Sequence, residues 1–297
     1  IDAIDATGVI GAIGAIGAIG AIMPGIIDWD ELWRATHAGG FHHHHGRDGQ
    51  DLVSHWDSRA RGFNKRVMKN TERAASQVAT LGLLPHETVL DVGAGTGRLA
   101  IPMARLAKSV TALDQSIGML QCLEENMAKE GIENIRCIHK SWEDLAEEEI
   151  EPHDVVLSSN SLGVLNLKES LAKMDSLARR AVYIFTFADR SRDDGLADFL
   201  SRRKNVRRRH SGPADYLVIY NLLADMGIYA DIKILDWQSS EYYSSLDEAV
   251  ADMREMYEIP AEREAELREF LSGKLTQSEK GLGMHRRHRK AMISWQK

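Results

Sequence analysis

The chain has 297 residues, of which 43% are hydrophobic and 27% charged, and its formal net charge is −7. This composition is that of a globular chain long enough for one large α/β domain and a smaller addition, and the negative charge disfavours non-specific nucleic-acid binding. The two cysteines, Cys122 and Cys137, lack a zinc-ligand spacing, so the sequence predicts no metal site and no disulfide.

The first 22 residues are treated apart from the fold. They contain four consecutive Gly-Ala-Ile repeats from Gly11 to Ile22, within an uncharged stretch long enough to span a bilayer. Each interior glycine costs a helix about 1 kcal/mol, the flanking residues are acidic, and a basic signal-peptide region is lacking. We therefore expect residues 1–22 to be a leader or an artefact, and we expect no membrane association.

Residues 23–80 are predicted to form a helical N-terminal cap. A short amphipathic helix begins near Asp28, and longer helical patterns cover residues 51–69 and 71–83. Four consecutive histidines, 42–45, lie between them. Adjacent residues in regular structure do not converge on one ion, so a solvated run is favoured over a metal site.

The stretch from Val89 to Ala100 is the most informative part of the chain. It predicts an apolar strand, an acidic residue, a glycine-rich turn and the start of a helix, with glycines at 93, 95 and 97. Glycines let the backbone approach a ligand closely, and a helix N-terminus favours negative charge. The dinucleotide fingerprint would place its third glycine where Arg98 stands. The pattern D-x-G-x-G-x-G instead resembles the first motif of class I S-adenosylmethionine-dependent methyltransferases.

Three further segments extend this resemblance in the family's order. A predicted strand at 109–114 ends in Asp114, 23 residues after Asp91, near the offset of about 20 at which a carboxylate meets ribose hydroxyls. Predicted strands at 135–139 and 153–159 come next, and each is followed in the sequence by a polar turn. A fifth strand at 182–187 completes the segment that the resemblance covers.

The resemblance and the strand–helix alternation imply an α/β fold with a doubly wound, seven-stranded, mostly parallel sheet. The antiparallel last strand, predicted at 290–296, lies in the family between the fifth strand and the sixth, predicted at 230–238. This methyltransferase domain is expected to cover residues 81–297. Insertions are expected at 190–211 and 240–275, the second of them helical.

The resemblance also implies a site at the carboxyl ends of the strands. Glycines 93, 95 and 97 and Ala94 would cradle the methionine portion, with Asp91 fixing the turn or meeting the amino group. The other implied cofactor contacts are Asp114 to the ribose, Gln115 and Met119 beside the adenosine, Ser141 and Trp142 beside the adenine, and Asn160 and Ser161 near the sulfonium.

Several of these assignments have alternatives. Many relatives carry Asp where Ser141 stands, and a hydroxyl accepts the adenine amino group less strongly than a carboxylate does. Trp142 either stacks on the adenine or covers the sheet edge, and Asn160 either faces the sulfonium or caps a strand. Arg59 and Phe63 belong to a segment that resembles a family cap; they either cover the cofactor or pack a helix onto the sheet.

The expected function is methyl transfer from S-adenosylmethionine to a small-molecule acceptor by in-line displacement, in the cytoplasm. The sequence assigns no catalytic residue, because a positioned acceptor needs a base only when it must lose a proton. The turn after the fourth strand lacks the Asn/Asp-Pro-Pro-Tyr sequence of base N-methyltransferases. The alternatives are an RNA or protein methyltransferase that uses the basic segment 202–210, and a non-catalytic S-adenosylmethionine-binding protein.

Overall fold

A computed structural model describes residues 27–37, 49–68, 71–188, 199, 215–257 and 259–297. The expectations for residues 1–22, for the four histidines and for the basic segment 202–210 fall outside these ranges and stay predictions. In the described part of the chain, no helix has the length and apolar character needed to cross a membrane.

Nine helices and eight strands alternate along the described residues. The helices are α1 (Trp29–His37), α2 (Gly49–Val67), α3 (Thr71–Ala79), α4 (Ala100–Ala104), α5 (Ile117–Glu130), α6 (Leu167–Ser176), α7 (Asp215–Asp225), α8 (Leu246–Tyr257) and α9 (Glu264–Ser272). The strands are β1 (Thr88–Val92), β2 (Ser109–Asp114), β3 (Ile135–His139), β4 (His153–Ser159), β5 (Ala178–Phe187), β6 (Asp231–Tyr243), β7 (Thr276–Ser278) and β8 (Gly281–Gln296).

The strands form one sheet in the order β3-β2-β1-β4-β5-β8-β6, with the short β7 paired to β8 as an eighth strand. Strands β1 to β5 are mutually parallel, and β8 runs antiparallel between β5 and β6. The predicted doubly wound sheet with an antiparallel last strand is confirmed. The order reverses between β1 and β4, which places the carboxyl ends of both strands at the point where such sheets bind ligands.

Apolar side chains cover both faces of the sheet, as expected where helices pack on both sides. Helices α1, α6 and α7 pack on one face, where Trp33, Leu171 and Leu222 are buried. Helices α3, α4 and α5 pack on the other, where Val78 and Leu123 are buried. This packing on both faces fixes the positions of the strand ends that carry the predicted site.

Strands β6 and β8 are longer than predicted and continue together beyond the parallel strands. Their pairing runs from Asp231 opposite Ser294 to Tyr243 opposite Leu282. The insertion predicted at 240–275 therefore begins only after Tyr243, because the two strands satisfy each other's backbone groups. Helices α8 and α9 form a separate apolar cluster with this extension, in which Met253 and Met284 are buried.

The connection between β3 and β4, all of which the structure describes, contains no α-helix. Only a 3-10 turn, Glu147–Glu149, forms there. The Ser141 hydroxyl accepts a hydrogen bond from the Glu143 backbone N–H at 3.2 Å, and a serine that bonds nearby backbone in this way favours a turn over a helix.

Helix α2 contacts α5 of the core and α8 of the C-terminal insertion. Asn64 and Asn126 of α5 exchange amide hydrogen bonds of 3.3 and 2.8 Å. Arg59 donates to the Met256 carbonyl of α8 at 3.3 Å. The predicted cap helix thus contacts both the methyltransferase-like core and the C-terminal helices.

Candidate functional site

The glycine-rich turn after β1 is fastened to the end of β2. The backbone N–H groups of Gly93 and Ala94 both donate to the Leu113 carbonyl, at 2.8 and 3.0 Å. The φ angles of the three glycines are +72° at Gly93, +59° at Gly95 and +86° at Gly97, a region that other residues rarely occupy. The turn therefore adopts a backbone conformation that requires glycine at these three positions.

The space that a side chain would have differs among the three glycines of this turn. A Cβ atom at Gly93 would lie 2.2 Å from the Ser161 Cβ, and one at Gly97 would lie 2.2 Å from the Leu123 Cδ1. At Gly95 the nearest atom to such a Cβ is the Phe63 Cε1, at 4.0 Å. Gly93 and Gly97 are required by protein packing, whereas Gly95 presents backbone that a ligand can approach.

Asp114 connects the turn to the start of α5. One carboxylate oxygen accepts from the Gly95 N–H at 2.8 Å and the other from the Ser116 N–H at 2.9 Å. Burial raises the pKa of Asp114, and these two backbone hydrogen bonds partly oppose the shift. Each carboxylate oxygen keeps a second lone pair, so Asp114 has the capacity to accept hydrogen bonds from a vicinal diol.

Asp57 of α2 fastens the cap helix to the same place. Its Oδ1 accepts from the Ser116 hydroxyl at 2.5 Å and from the Gly118 N–H at 2.9 Å. Ser116 in turn caps α5, because its Oγ accepts from the Met119 N–H at 3.1 Å. No role for Asp57 is predicted from the sequence, although it follows Trp56 in the segment that resembles a family cap.

Phe63 lies over the turn and also packs against its own helix. Its ring meets Trp56 edge-on, with centroids 5.8 Å apart, and both rings contact a small cluster that contains Met119. Phe63 therefore packs within the cap and lies next to the space above Gly95, so both alternatives predicted from the sequence stay open. Arg59 points instead to α8.

Asp91 lies beneath the turn and is 2% exposed. Burial raises the pKa of its carboxyl to about 7; Arg98 lowers that pKa and Asp114 raises it further. Arg98 donates to the Gln77 Oε1 at 3.1 Å and to the Ser159 Oγ at 3.3 Å. The sequence shows only that Arg98 stands where the dinucleotide fingerprint has its third glycine. In the structure, Arg98 contacts α3 and β4.

The residues after β4 lie beside the turn. The Ser161 hydroxyl donates to the Val92 carbonyl at 2.5 Å. Asn160 has a φ of +56° and is the only non-glycine residue with a positive φ in the described part of the chain. Its N–H donates to the Phe185 carbonyl at 2.8 Å. Its side-chain oxygen accepts a hydrogen bond from Lys290 of β8. No site role for Lys290 is predicted from the sequence.

The residues expected beside the adenine lie differently. Ser141 is half-buried in the turn after β3. Trp142 is 7% exposed within the core that contains Leu145, and the Lys173 amine lies 4.3 Å from the centroid of its ring. This placement fits the alternative in which Trp142 covers the sheet. Gln115 lies at the end of β2, where its carbonyl is 3.0 Å from the His139 Nε2.

The structure thus brings the ends of β1, β2 and β4 together beneath α2. No group of three or more potential metal ligands occurs among the described residues. The arrangement combines half-buried backbone at Gly95 with a carboxylate at Asp114, which suits a nucleoside-like ligand that has a diol.

Comparison with known proteins decides the family. A protein-family model described as a methyltransferase domain matches residues 89–181, the stretch that holds the turn, Asp91, Asp114 and Asn160. Those residues form a class I S-adenosylmethionine-dependent methyltransferase domain. The matched domain is accordingly that of an enzyme whose cofactor is S-adenosylmethionine.

Individual relatives and one solved structure are also similar to the chain. The methyltransferase is 29% identical over 186 residues to an uncharacterized protein of Haemophilus influenzae, covering 62% of this chain and 67% of that one. It is 33% identical over 79 residues to a probable cobalt-precorrin-6B C(15)-methyltransferase of Methanocaldococcus jannaschii, covering 27% of this chain and 43% of that enzyme. The YcgJ protein of Bacillus subtilis has the same fold, with a TM-score of 0.50 at 14% identity over 76% of this chain and 98% of that one.

Proposed function

We propose that this methyltransferase acts on a small-molecule acceptor at the carboxyl edge of the sheet. The observation that carries the proposal is the enclosure of that edge: α2 lies over the glycine-rich turn and is joined by Arg59 to α8 of the insertion. Bound S-adenosylmethionine supplies an electrophilic methyl group on a sulfonium, so the protein's contribution is position and environment.

Each part of the edge has a proposed task in holding the cofactor. The Gly95 backbone and its neighbours Gly93, Ala94 and Gly97 would hold the methionine portion, with Asp91 available to an amino group. Asp114 would accept hydrogen bonds from the ribose hydroxyls, and Phe63 would cover the nucleoside. Asn160 and Ser161 would face the sulfonium region, while Ser141 would border the adenine.

Exclusion of water is the main catalytic task proposed for the cap. In-line transfer is fastest when donor and acceptor are fixed in reach of each other with water expelled. Asp57 fixes α2 through Ser116 and Gly118, and the Asn64–Asn126 pair fixes it further along the helix. Two anchors of this kind suit a site closed around a small molecule.

RNA is the second candidate acceptor, because some relatives are named as ribosomal RNA methyltransferases. A probable ribosomal RNA small subunit methyltransferase A of Methanosphaera stadtmanae is 40% identical, but over only 53 residues, covering 18% of this chain and 20% of that enzyme. So short a match covers less than the cofactor-binding domain. It therefore supports the shared cofactor and does not extend to the acceptor.

Methyl-labelled S-adenosylmethionine tests the proposed acceptor class. The protein is incubated with it and with a cell extract separated into small molecules, RNA and protein; Asp114→Ala is the inactive control. We expect enzyme-dependent label in the small-molecule fraction only. Label in RNA or in protein would overturn the small-molecule acceptor, and binding of the cofactor without label in any fraction would favour the non-catalytic alternative.

A further inference from the structure

Asn126 is a buried polar residue on the face of α5 that meets the glycine-rich turn. It is 8% exposed, and it follows Leu123 by three residues. A Cβ atom at Gly97 would lie 2.2 Å from the Leu123 Cδ1, and residues three apart share one face of a helix. A buried carboxamide is costly unless it is hydrogen-bonded, so its partners indicate which parts of the structure Asn126 connects.

The Asn126 side chain binds the turn itself. Its Nδ2 donates to the Thr96 carbonyl at 2.9 Å. The Gly97 N–H, which is the other polar group of the same peptide, donates to the Ala94 carbonyl at 3.1 Å. Because Gly97 lacks a side chain, its backbone would tolerate other orientations of this peptide. The hydrogen bond from Asn126 favours the one in which the Thr96 carbonyl faces α5.

The same amide nitrogen also binds the cap helix α2. It donates to the Asn64 side-chain oxygen at 2.8 Å, and the Asn64 amide donates back to the Asn126 oxygen at 3.3 Å. Asn64 directly follows Phe63, whose Cε1 is the nearest atom to a Cβ built at Gly95, at 4.0 Å. The amide pair therefore fixes the part of α2 that lies over the turn.

One side chain thus connects the two walls of the space above Gly95. The turn forms one wall and the Phe63 end of α2 forms the other, and Asn126 is hydrogen-bonded to both. Asp57 anchors α2 at the start of α5, about two helical turns before Asn64. Because Asp57 holds the helix at a different place, the separation of the two walls depends on Asn126.

We propose that Asn126 is a positioning residue that sets the separation between the glycine-rich turn and α2, and that cofactor affinity depends on this separation. A ligand that enters between two fixed surfaces binds more tightly, because less ordering remains to be done on binding. The inference rests on the cofactor contacts proposed for Gly95 and Phe63, and it names the residue that fixes both. Asn126 acts through Thr96 and Asn64 and not by contact with the cofactor.

Calorimetry with S-adenosylhomocysteine on the full chain tests the inference. Asn126→Ala removes both links, Asn64→Ala removes only the link to the cap, and Asn64→Asp keeps an oxygen that accepts from Asn126. The matched control is Asn134→Ala. The Asn134 amide also donates to a backbone carbonyl, that of Ala104 at 2.8 Å, but this residue directly precedes β3 at the amino edge of the sheet. Urea unfolding of each variant measures its stability.

We expect Asn126→Ala to weaken S-adenosylhomocysteine binding about twentyfold and Asn64→Ala about fivefold, since the first loses the links to both walls and the second loses one. The double variant should bind no more weakly than Asn126→Ala, because Asn64 acts through Asn126. Asn64→Asp should stay within about twofold of the unmodified protein, because a carboxylate accepts the same hydrogen bond. Asn134→Ala should lower the urea midpoint and leave the affinity unchanged.

Unchanged affinity in Asn126→Ala would overturn the inference. An equal loss of affinity in Asn126→Ala and Asn134→Ala would also overturn it, because general destabilisation would then explain the loss. Losses that multiply in the double variant would contradict the shared link. If the unmodified protein did not bind S-adenosylhomocysteine, the cofactor assignment would fail together with the inference. Methyl transfer to RNA would overturn only the proposed acceptor, since the affinity measurements involve no acceptor.

Discussion

Replacement of Asp91 by Asn should stabilise the folded protein, and more so at high pH than at low pH. The pKa of Asp91 rises from 3.8 to about 7 on folding, chiefly because the carboxyl is buried. A raised pKa means that the folded state favours the neutral acid. Ionised Asp91 therefore destabilises the fold; the penalty is absent below pH 3.8, grows as the pH rises from 3.8 to 7, and is complete above 7.

The size of this effect follows from the shift. About three pKa units at 1.36 kcal/mol each correspond to about 4 kcal/mol above pH 7, and to about 1.5 kcal/mol at pH 5. Asn has the shape of the neutral acid and carries no charge. The gain in the free energy of unfolding for Asp91→Asn should therefore be about 2.5 kcal/mol larger at pH 8 than at pH 5.

Urea unfolding followed by circular dichroism at both pH values measures the difference. Asp154→Asn is the matched control: although burial raises the pKa of Asp154, hydrogen bonds from the Thr88 N–H at 2.7 Å and hydroxyl at 3.0 Å hold it below the usual value. Asp154 is thus ionised at both pH values, and its replacement should cost a similar amount of stability at each. A loss of stability in Asp91→Asn at pH 8 would refute the argument, because it would mean that ionised Asp91 is a net stabilising group.

Three further predictions concern the turn and its cap. Gly93→Ala should destabilise the protein by about 2 kcal/mol in urea unfolding, because its Cβ would lie 2.2 Å from the Ser161 Cβ at φ +72°; Ser161→Gly in the same chain should restore part of the loss, and additive losses would contradict the clash. Asp57→Ala should cost about 1–2 kcal/mol by removing two hydrogen bonds at the start of α5, and an unchanged midpoint would show that they contribute nothing. If Asp91 meets the cofactor's amino group, calorimetry should find affinity for S-adenosylhomocysteine rising as the pH passes from 6 to 8, since the ionised carboxylate binds the ammonium; a pH-independent affinity would exclude that contact.

The sequence predicts the parts of the site that are encoded within one turn. The spacing of Gly93, Gly95 and Gly97 and the acid at the end of β2 are local patterns, and the structure places them together because parallel strands end at one edge. The strand order itself follows from the resemblance and from the alternation of strands with helices.

Other features depend on long-range pairing and could not be predicted in this way. Lys290 begins a predicted strand next to basic residues, and only its register opposite Phe187 and Leu235 shows that it is buried. The extension of β6 to Tyr243 carries polar residues that lack strand periodicity, and pairing with β8 supplies its hydrogen bonds. Trp142 follows a strand as an adenine contact would, yet the adjacent core and Lys173 determine its position.

The assignment of S-adenosylmethionine to the glycine-rich turn and Asp114 is tested by cofactor binding to the purified protein. Calorimetry with S-adenosylmethionine, S-adenosylhomocysteine and NAD is performed on the unmodified chain, on Asp114→Ala and on Asp144→Ala, an exposed acid after β3. We expect micromolar binding of the first two compounds, lost in Asp114→Ala and retained in Asp144→Ala, and no binding of NAD. Binding of NAD alone, or S-adenosylhomocysteine affinity that survives Asp114→Ala unchanged, would contradict the assigned site.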